Sequence, residues 1–571
     1  DAPNALGANA SRFAPVALEH LDALCAALKA QGIYFAIELH ARGSYVALEP
    51  TARTRFPTGK MLDRFTPALL DEQRAFAKAL LTRENAVTHV RYVDEPALLF
   101  VELASEDTLL PSASGSPDNL PESYREELAR RYRAWLSEQT ATGARAPGPA
   151  LEEAKQELPT LQASEPARSD YLRFLRDLEL ASVRSLREYA KQELGLKSML
   201  VNSQASAGGL LGVLREAAVS DFVDVHGYWD VPQPSAASPD AFTIDDTSQI
   251  QARDGGVLGL LASYRVAGMP FVVSEYALPA PSKYTAEMLP MLSAVAAFQD
   301  WDAIFAYAYA ERPSDFQASA LSGPFSIVSD PAKLTSLPVA AIAFRRGLVA
   351  SGAQPIELSI SRESALLAYE TRSMPELWRS HDVPTSSVAV RRLGARLTDT
   401  KGEVKTGANL RVAAPFSSST GELYWEPEGP HARFSVNAPA LKVACGELSN
   451  TRLRLGAVLL SFESFQPSYA CVTLVSLDDE AIETSKRLLL TAVGEIENTT
   501  AIKQPRFDSL GAGPPLAQYV PLTVTLLGRW QATALDMHGN PTLSLSAGGE
   551  TQSELRLPAE AHALSFLLTA R

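Results

Sequence analysis

Cysteine is scarce in this chain of 571 residues, which contains three: Cys25, Cys445 and Cys471. Their spacing matches no metal site, and three cysteines are too few for a disulfide framework. Cys445 and Cys471 could pair within a C-terminal β region or remain as two buried thiols, and we expect thiols. Cysteine content therefore constrains the cellular compartment only weakly.

Basic residues are also in deficit, with 52 Lys and Arg against 66 Asp and Glu. The net charge of -14 argues against a nucleic-acid partner. The sequence has no run of roughly 18 apolar residues, so we predict no membrane span. With 46% hydrophobic and 21% charged residues, the composition is typical of a soluble globular protein. The length predicts two or three domains.

Two apolar stretches end in a carboxylate. Residues 270–276 read as a buried strand that carries Glu275 near its end, and residues 96–106 read as a second strand that finishes on Glu106. Taken singly, each glutamate could simply be solvated at the start of a loop. Two carboxylates at the mouth of one (β/α) barrel are the pair that glycoside hydrolysis requires.

Further polar residues follow other predicted strands, which alternate with amphipathic helices up to about residue 348. This alternation predicts a parallel α/β unit. The candidates for substrate contact, by strand, are His40 and Arg42 after 33–39, Asn202 at the end of 198–202, His226 and Tyr228 in 221–228, and Tyr309 in 303–309. The alternative for His40 and Arg42 is pairing with nearby carboxylates, and the alternative for Tyr309 is a place in the core.

From about residue 356 the pattern changes to short alternating segments that are separated by Gly, Pro and Ser. No helical crossover is predicted between these segments, which is typical of an antiparallel β-sandwich. We therefore predict a (β/α) barrel domain over residues 1–350 and a β-sandwich region, as one or two subdomains, over residues 351–571.

The first region resembles the retaining glycoside hydrolases of clan A, in particular family 5-like enzymes with a (β/α)8 TIM barrel. The resemblance covers roughly residues 15 to 348 and rests on five segments in order: His40, 94–106, 224–229, 274–276 and 299–302. It implies that Glu106 is the general acid/base and Glu275 the nucleophile. It also implies that Tyr228 hydrogen-bonds the nucleophile and that His226 contacts the substrate or the acid/base.

The resemblance implies a carbohydrate substrate, with no metal and no organic cofactor. It places His40, Arg42, Ser105, Asn202, His226, Tyr228 and Tyr309 on the substrate side of the cleft. We expect a secreted or periplasmic bacterial protein.

Two features depart from the family pattern. Ser105 stands where the family has an asparagine that contacts the sugar 2-hydroxyl, and the serine offers one donor in place of two. Six βα units can be counted, so we infer that the sequence begins just after the second strand of the barrel. The alternative to a hydrolase is therefore a non-catalytic carbohydrate-binding or scaffold protein on a degenerate barrel. Transglycosylation would use the same two glutamates.

Overall fold

The computed structural model describes residues 13–39, 60–110, 116–143, 158–160, 162–163, 166–234, 242–362, 373–399, 405–406, 412–501, 510–546, 549 and 551–571. The predicted site residues His40 and Arg42 lie outside these ranges. Of the helices within them, none has the length and the apolar character that crossing a bilayer demands.

Strands and helices alternate through the first half of the chain, as the sequence predicts. The strands are β1 (Phe35–Glu38), β2 (Leu98–Glu102), β3 (Met199–Val201), β4 (Val223–Tyr228), the short hairpin strands β5 (Gln233–Pro234) and β6 (Phe242–Thr243), β7 (Phe271–Ala277) and β8 (Ala303–Ala306). The helices are α1 (Pro15–Ala30), α2 (Pro67–Leu81), α3 (Glu122–Ala141), α4 (Ala167–Glu188), α5 (Gly209–Val219), α6 (Gly256–Ala262), α7 (Met288–Gln299) and α8 (Pro331–Arg345).

Six of these strands run parallel around one apolar interior. The orders are β1-β2-β3 and β4-β7-β8, and the two groups join where the Asp221 amide donates to the Leu200 carbonyl at 2.9 Å. The Phe100 ring of β2 lies 5.0 Å from Phe222 and 5.9 Å from Phe305 of β8, centroid to centroid. Strands far apart in the order thus face the same interior, so the sheet curls as in a (β/α) barrel.

The second half of the chain is almost entirely β structure. It begins with a small sheet of β9 (Ile356–Ser361), β10 (Leu393–Thr398) and β11 (Lys405–Thr406), with helix α9 (Met374–Arg379) between β9 and β10. Fifteen strands follow in chain order: β12 (Phe416–Ser417), β13 (Leu423–Glu426), β14 (Arg433–Ala438), β15 (Leu441–Glu447), β16 (Arg452–Leu455), β17 (Val458–Phe462), β18 (Tyr469–Ser476), β19 (Arg487–Val493), β20 (Ile496–Asn498), β21 (Pro515–Ala517), β22 (Leu522–Leu527), β23 (Trp530–Leu535), β24 (Pro541–Ser546), β25 (Gln552–Arg556) and β26 (Ser565–Ala570).

These strands form an antiparallel sandwich, as predicted. One sheet has nine strands, in the order β12-β13-β14-β15-β18-β19-β26-β23-β24, and the other has four, in the order β16-β17-β22-β25, while β20 and β21 pair with each other in a separate two-stranded sheet. All eight residues of β18 are buried because its two faces serve different cores. Val472 and Leu474 pack in the sandwich core, whereas Tyr469 and Val475 join the core of the barrel. The nine-stranded sheet is therefore the middle layer between the barrel and the four-stranded sheet.

The barrel and the middle sheet also share polar contacts. The buried Glu287 carboxylate accepts hydrogen bonds from the Ser248 hydroxyl at 2.8 Å, the Gln249 backbone N–H at 2.5 Å and the Tyr469 hydroxyl at 3.3 Å. Burial raises the pKa of Glu287 to about 8, although these donors oppose the rise. The Trp425 indole donates to the Ile250 carbonyl at 2.6 Å. The loop that precedes helix α6 is thus fixed by the C-terminal half.

The expectation of free thiols at Cys445 and Cys471 is wrong in the structure, which joins the two residues in a disulfide. Their strands β15 and β18 are antiparallel neighbours, and the register places Cys445 directly opposite Cys471. The spacing along the chain does not reveal this register. Cys25 remains free and buried.

We predict one free thiol in the unfolded, unreduced chain and three after reduction. Titration with a thiol reagent in guanidinium chloride, with and without prior reduction, measures both counts. The Cys25→Ser variant is the matched control and should give none and two. Three thiols without reduction would contradict the disulfide.

Candidate active site

The two glutamates predicted to be catalytic are held by different kinds of backbone. Glu275 lies within strand β7. Strand β2 ends at Glu102, so Glu106 stands four residues beyond it and not at its last position as expected. Glu106 has a φ of 49°, in the left-handed region that non-glycine residues rarely adopt. This turn carries the Glu106 carboxylate over the mouth of the sheet.

His226 brings the two carboxylates together. Its Nδ1 lies 3.0 Å from Glu106 Oε1 and 3.5 Å from Glu275 Oε2, and one oxygen of each glutamate and a histidine nitrogen all lie within 4.8 Å of one another. His226 thus lies between the two carboxylates at one mouth of the sheet.

Strand register explains the position of the histidine. Strands β4 and β7 are parallel neighbours, and His226 pairs with Glu275 next to a register shift between Val225 and His226. Such a shift re-aims side chains at the end of a strand. The imidazole is 5% exposed, whereas the Glu275 and Glu106 side chains are 25% and 49% exposed. The pair therefore opens to solvent on the Glu106 side.

Burial and neighbouring charge shift the ionisation of this group. The pKa of Glu275 is raised to about 7, mainly by burial; His226 acts to lower this pKa, and the charges of Glu106 and Asp224 act to raise it. Burial acts to lower the pKa of His226, but the three carboxylates around the ring outweigh it, so this pKa is raised. Both shifts favour the protonated forms, a positively charged imidazole and a neutral Glu275, relative to the free side chains.

Lys60 adds a second positive charge beside the acid/base candidate. Its Nζ lies 3.9 Å from Glu106 Oε2, and its side chain is 20% exposed. The sequence offered no signal for this contact because Lys60 lies 46 residues before Glu106 along the chain.

Two sets of ligand atoms have the spacing that a metal ion needs: Glu102, Asp224 and His226, and Glu106, His226 and Glu275. In the first set, Gln204 Nε2 donates to Glu102 at 2.7 Å and to Asp224 at 2.9 Å. An N–H donor thus occupies the space between the oxygens that a cation would use. This arrangement favours hydrogen bonding between these side chains over the binding of a metal ion.

Aromatic rings line one side of the mouth. Tyr228 lies 5.8 Å from Tyr307 and 5.5 Å from Phe325, and Tyr307 lies 5.6 Å from Phe325, centroid to centroid. Tyr309 continues this wall and contacts Phe316 at 6.0 Å, with Tyr309 53% and Phe316 62% exposed. Exposed rings beside two carboxylates suit the apolar face of a sugar.

Other predicted residues have different surroundings. Asn202 is fully buried, accepts from Arg64 Nη1 at 3.1 Å and donates to Glu216 Oε1 at 2.9 Å, which places its side chain beneath the cleft and not in it. Ser105 is 8% exposed. The Tyr228 hydroxyl makes no hydrogen bond to Glu275 in the described part of the chain. Substrate contact by Ser105 and the Tyr228 bond to the nucleophile stay predictions.

Three buried polar residues were missed as members of the site: Glu102, Gln204 and Asp224. A signal was present, since Glu102 occurs four residues before Glu106 and Asp224 two residues before His226 on the same strand face. Burial and the coulombic effect of Asp224 hold the pKa of Glu102 well above its usual range, and burial raises the pKa of Asp224 to about 6.

No protein-family model matches this chain, and no curated protein matches it in sequence. Solved structures do match part of it. An endo-1,4-beta-mannanase from Rhizomucor miehei is 15% identical with a TM-score of 0.35, over 58% of this chain and 76% of that one. An endo-beta-1,4-mannanase from Thermotoga petrophila is 14% identical with a TM-score of 0.35, over 60% and 66%.

A glycoside hydrolase family 5 mannosidase from Rhizomucor miehei is 11% identical with a TM-score of 0.32, over 57% of this chain and 72% of that one. Each of these matches covers less than two thirds of this chain. The function proposed below is argued from the geometry of the site.

We predict that Glu275→Gln stabilises the chain more at pH 8 than at pH 5. The pKa of Glu275 is about 7 in the folded chain, above its ordinary value of 4.5. The free energy of unfolding of the wild type therefore falls as pH rises from 4.5 through 7, and the glutamine variant, which does not ionise, shows no such fall. Allowing for partial exposure, the gain at pH 8 is about 2 kcal/mol. Urea unfolding at the two pH values measures it. Glu311→Gln, at a carboxylate outside the catalytic group, is the control for general charge effects, and equal stabilisation at both pH values would contradict the prediction.

Proposed function

We propose that this protein is a retaining glycoside hydrolase that cleaves β-glycosidic bonds in oligo- or polysaccharides. The carrying observation is the approach of Glu106 and Glu275 to within 4.8 Å, with His226 between them, at an open mouth of parallel strands. Retaining glycosidases place their carboxyl groups about 5–5.5 Å apart and inverting enzymes about 6.5–9.5 Å apart, so two carboxylates this close favour a double displacement.

Glu275 attacks the anomeric carbon, and the glycosidic bond breaks as Glu106 gives its proton to the departing oxygen. The product is a glycosyl ester on Glu275 and a free alcohol. Water then attacks the anomeric carbon, Glu106 accepts its proton, and the ester bond to Glu275 breaks. The chain is regenerated with the sugar in its original anomeric configuration.

The surrounding groups have roles that follow from their positions. The Nδ1–H of His226 stabilises negative charge on whichever carboxylate is ionised. Tyr309 and Phe316 offer ring faces to the sugar. The Lys60 ammonium group lies 3.9 Å from Glu106 Oε2 and adds a positive charge beside this carboxylate.

We also propose that two further parallel strands fill the side of the barrel between β1 and β8 in the working enzyme. In the described part of the chain each of these strands pairs with a neighbour on one edge only. Unpaired edges that flank a binding mouth are costly to leave open. Such strands would add residues to the cleft beside Tyr309.

The disulfide supports a further proposal, that the protein works in an oxidising compartment, as a secreted or periplasmic protein does.

The test of the hydrolase is turnover of a panel of 2,4-dinitrophenyl β-glycosides by the chain, followed by NMR of the first-formed sugar. We expect β-product from the active member of the panel. Glu275→Gln should lower kcat by at least about 10⁴-fold with folding intact. Glu126→Gln, at an exposed carboxylate of helix α3, is the matched control and should keep wild-type turnover. First-formed α-product would contradict retention, and unchanged turnover in Glu275→Gln would remove the nucleophile assignment.

The alternative, a carbohydrate-binding protein without activity, is favoured by Ser105, which replaces the amide that the family uses at the 2-hydroxyl. It predicts that oligosaccharides bind to the wild type, to Glu106→Gln and to Glu275→Gln with similar affinity, and that no member of the panel is hydrolysed. Calorimetric titration alongside the turnover assay separates the two functions.

A further inference from the structure

The Gln204 side chain is buried beneath the catalytic pair and uses both ends of its amide. Its Oε1 accepts from the Glu106 backbone N–H at 2.5 Å and from the Ser203 hydroxyl at 3.3 Å. Its Nε2 donates to Glu102 at 2.7 Å and to Asp224 at 2.9 Å. Apart from asparagine, glutamine is the only neutral side chain with a strong acceptor and a double donor on separate atoms.

Asp224 continues the connection to the other catalytic residue. Its Oδ2 accepts from the Ser274 hydroxyl at 2.6 Å and its Oδ1 from the Ser274 backbone N–H at 3.1 Å. Ser274 immediately precedes Glu275. A continuous buried path therefore runs from the backbone of Glu106 through Gln204 and Asp224 to the residue before Glu275.

The Glu106 end of this path needs external support. Glu106 stands beyond the end of β2 with its φ of 49°, a conformation that costs roughly 1 kcal/mol or more unless the surroundings impose it. The next residue, Asp107, donates its N–H to Ser203 Oγ at 3.1 Å, and its carboxylate accepts from the Met61 N–H at 2.8 Å. The loop after β3 thus holds the turn that carries Glu106.

We propose that Gln204 and Asp224 are positioning residues that set the separation of the two reacting carboxyl groups, Gln204 from the Glu106 side and Asp224 from the Glu275 side. This inference rests on the proposed glycoside hydrolase function. It assigns the two residues to different chemical events: Gln204 serves proton transfer to the leaving group, and Asp224 serves attack by the nucleophile.

The roles of Gln204 and Asp224 can be distinguished by comparing kcat/KM on substrates with different leaving groups. Departure of 2,4-dinitrophenolate needs no proton, whereas departure of phenolate needs help from the acid. For Gln204→Leu we expect kcat/KM to fall about 10²-fold on a phenyl glycoside and less than about threefold on the matching 2,4-dinitrophenyl glycoside. For Ser274→Ala, which removes the hydroxyl donor to Asp224, we expect similar losses on both substrates because attack is required for each.

The chain offers a matched control in Gln299, another buried glutamine, at the C-terminal end of helix α7. Its Nε2 donates to the carbonyls of Val388 at 2.7 Å and Arg391 at 2.8 Å, and its Oε1 accepts from the Leu393 N–H at 2.9 Å. Gln299→Leu should lower stability without any dependence of its kcat/KM change on the leaving group. A general structural role for Gln204 predicts the same behaviour for both variants.

Gln204→Met preserves the side-chain volume and serves as a second variant where Gln204→Leu fails to fold, with circular dichroism as the check. Equal losses on both substrates, or no loss, in the Gln204 variant that folds would overturn the positioning role while leaving the hydrolase intact. A wild-type chain that hydrolyses neither glycoside would contradict the hydrolase function and the positioning role together.

Discussion

Burying carboxylates at the ends of parallel strands is the constraint on which the site depends. Glu102, Asp224 and Glu275 are removed from water to different degrees, and an unpaired buried charge is costly. Two side chains from neighbouring segments offset this cost. The Gln204 amide donates to Glu102 and Asp224, and the His226 imidazole contacts Glu275. Burial raises the pKa of Glu102, Asp224 and Glu275, because a protonated carboxyl is less costly to bury than a carboxylate.

The periodicity of the first half predicted the alternation of strands and helices because each strand is a short apolar run and each helix has an amphipathic face. Boundaries were less accurate. Proline is typical of a helix start, and Pro338 could be taken for one, but helix α8 begins at Pro331, where the Asp330 carboxylate caps the Ala332 and Lys333 amides, and it continues through Pro338. The sandwich was predicted as a class, but its layering against the barrel depends on long-range packing that alternation along a strand cannot specify.

The catalytic pair was predicted from two strand ends, and the structure brings that pair together with His226. What the sequence could not supply is the connection between distant loops. Gln204 contacts Glu106 across 98 residues of chain and Glu102 across 102. Asn202 looked equivalent to Gln204 by position, yet the Arg64 and Glu216 side chains draw it into a separate buried network. Neighbouring strand-end residues are distinguished by partners that lie far away in sequence.

The contact of Tyr469 with Glu287 makes the C-terminal half part of the packing that supports the barrel. A C-terminal domain without such contacts can be exchanged between proteins. Here the Tyr469 hydroxyl of the middle sheet donates a hydrogen bond to a buried carboxylate of the barrel. The loop held by that carboxylate also holds Gln249, whose Oε1 accepts from the hydroxyl of Tyr276, the residue after Glu275. A change in the middle sheet is therefore transmitted through Glu287 and Gln249 to the residue next to Glu275.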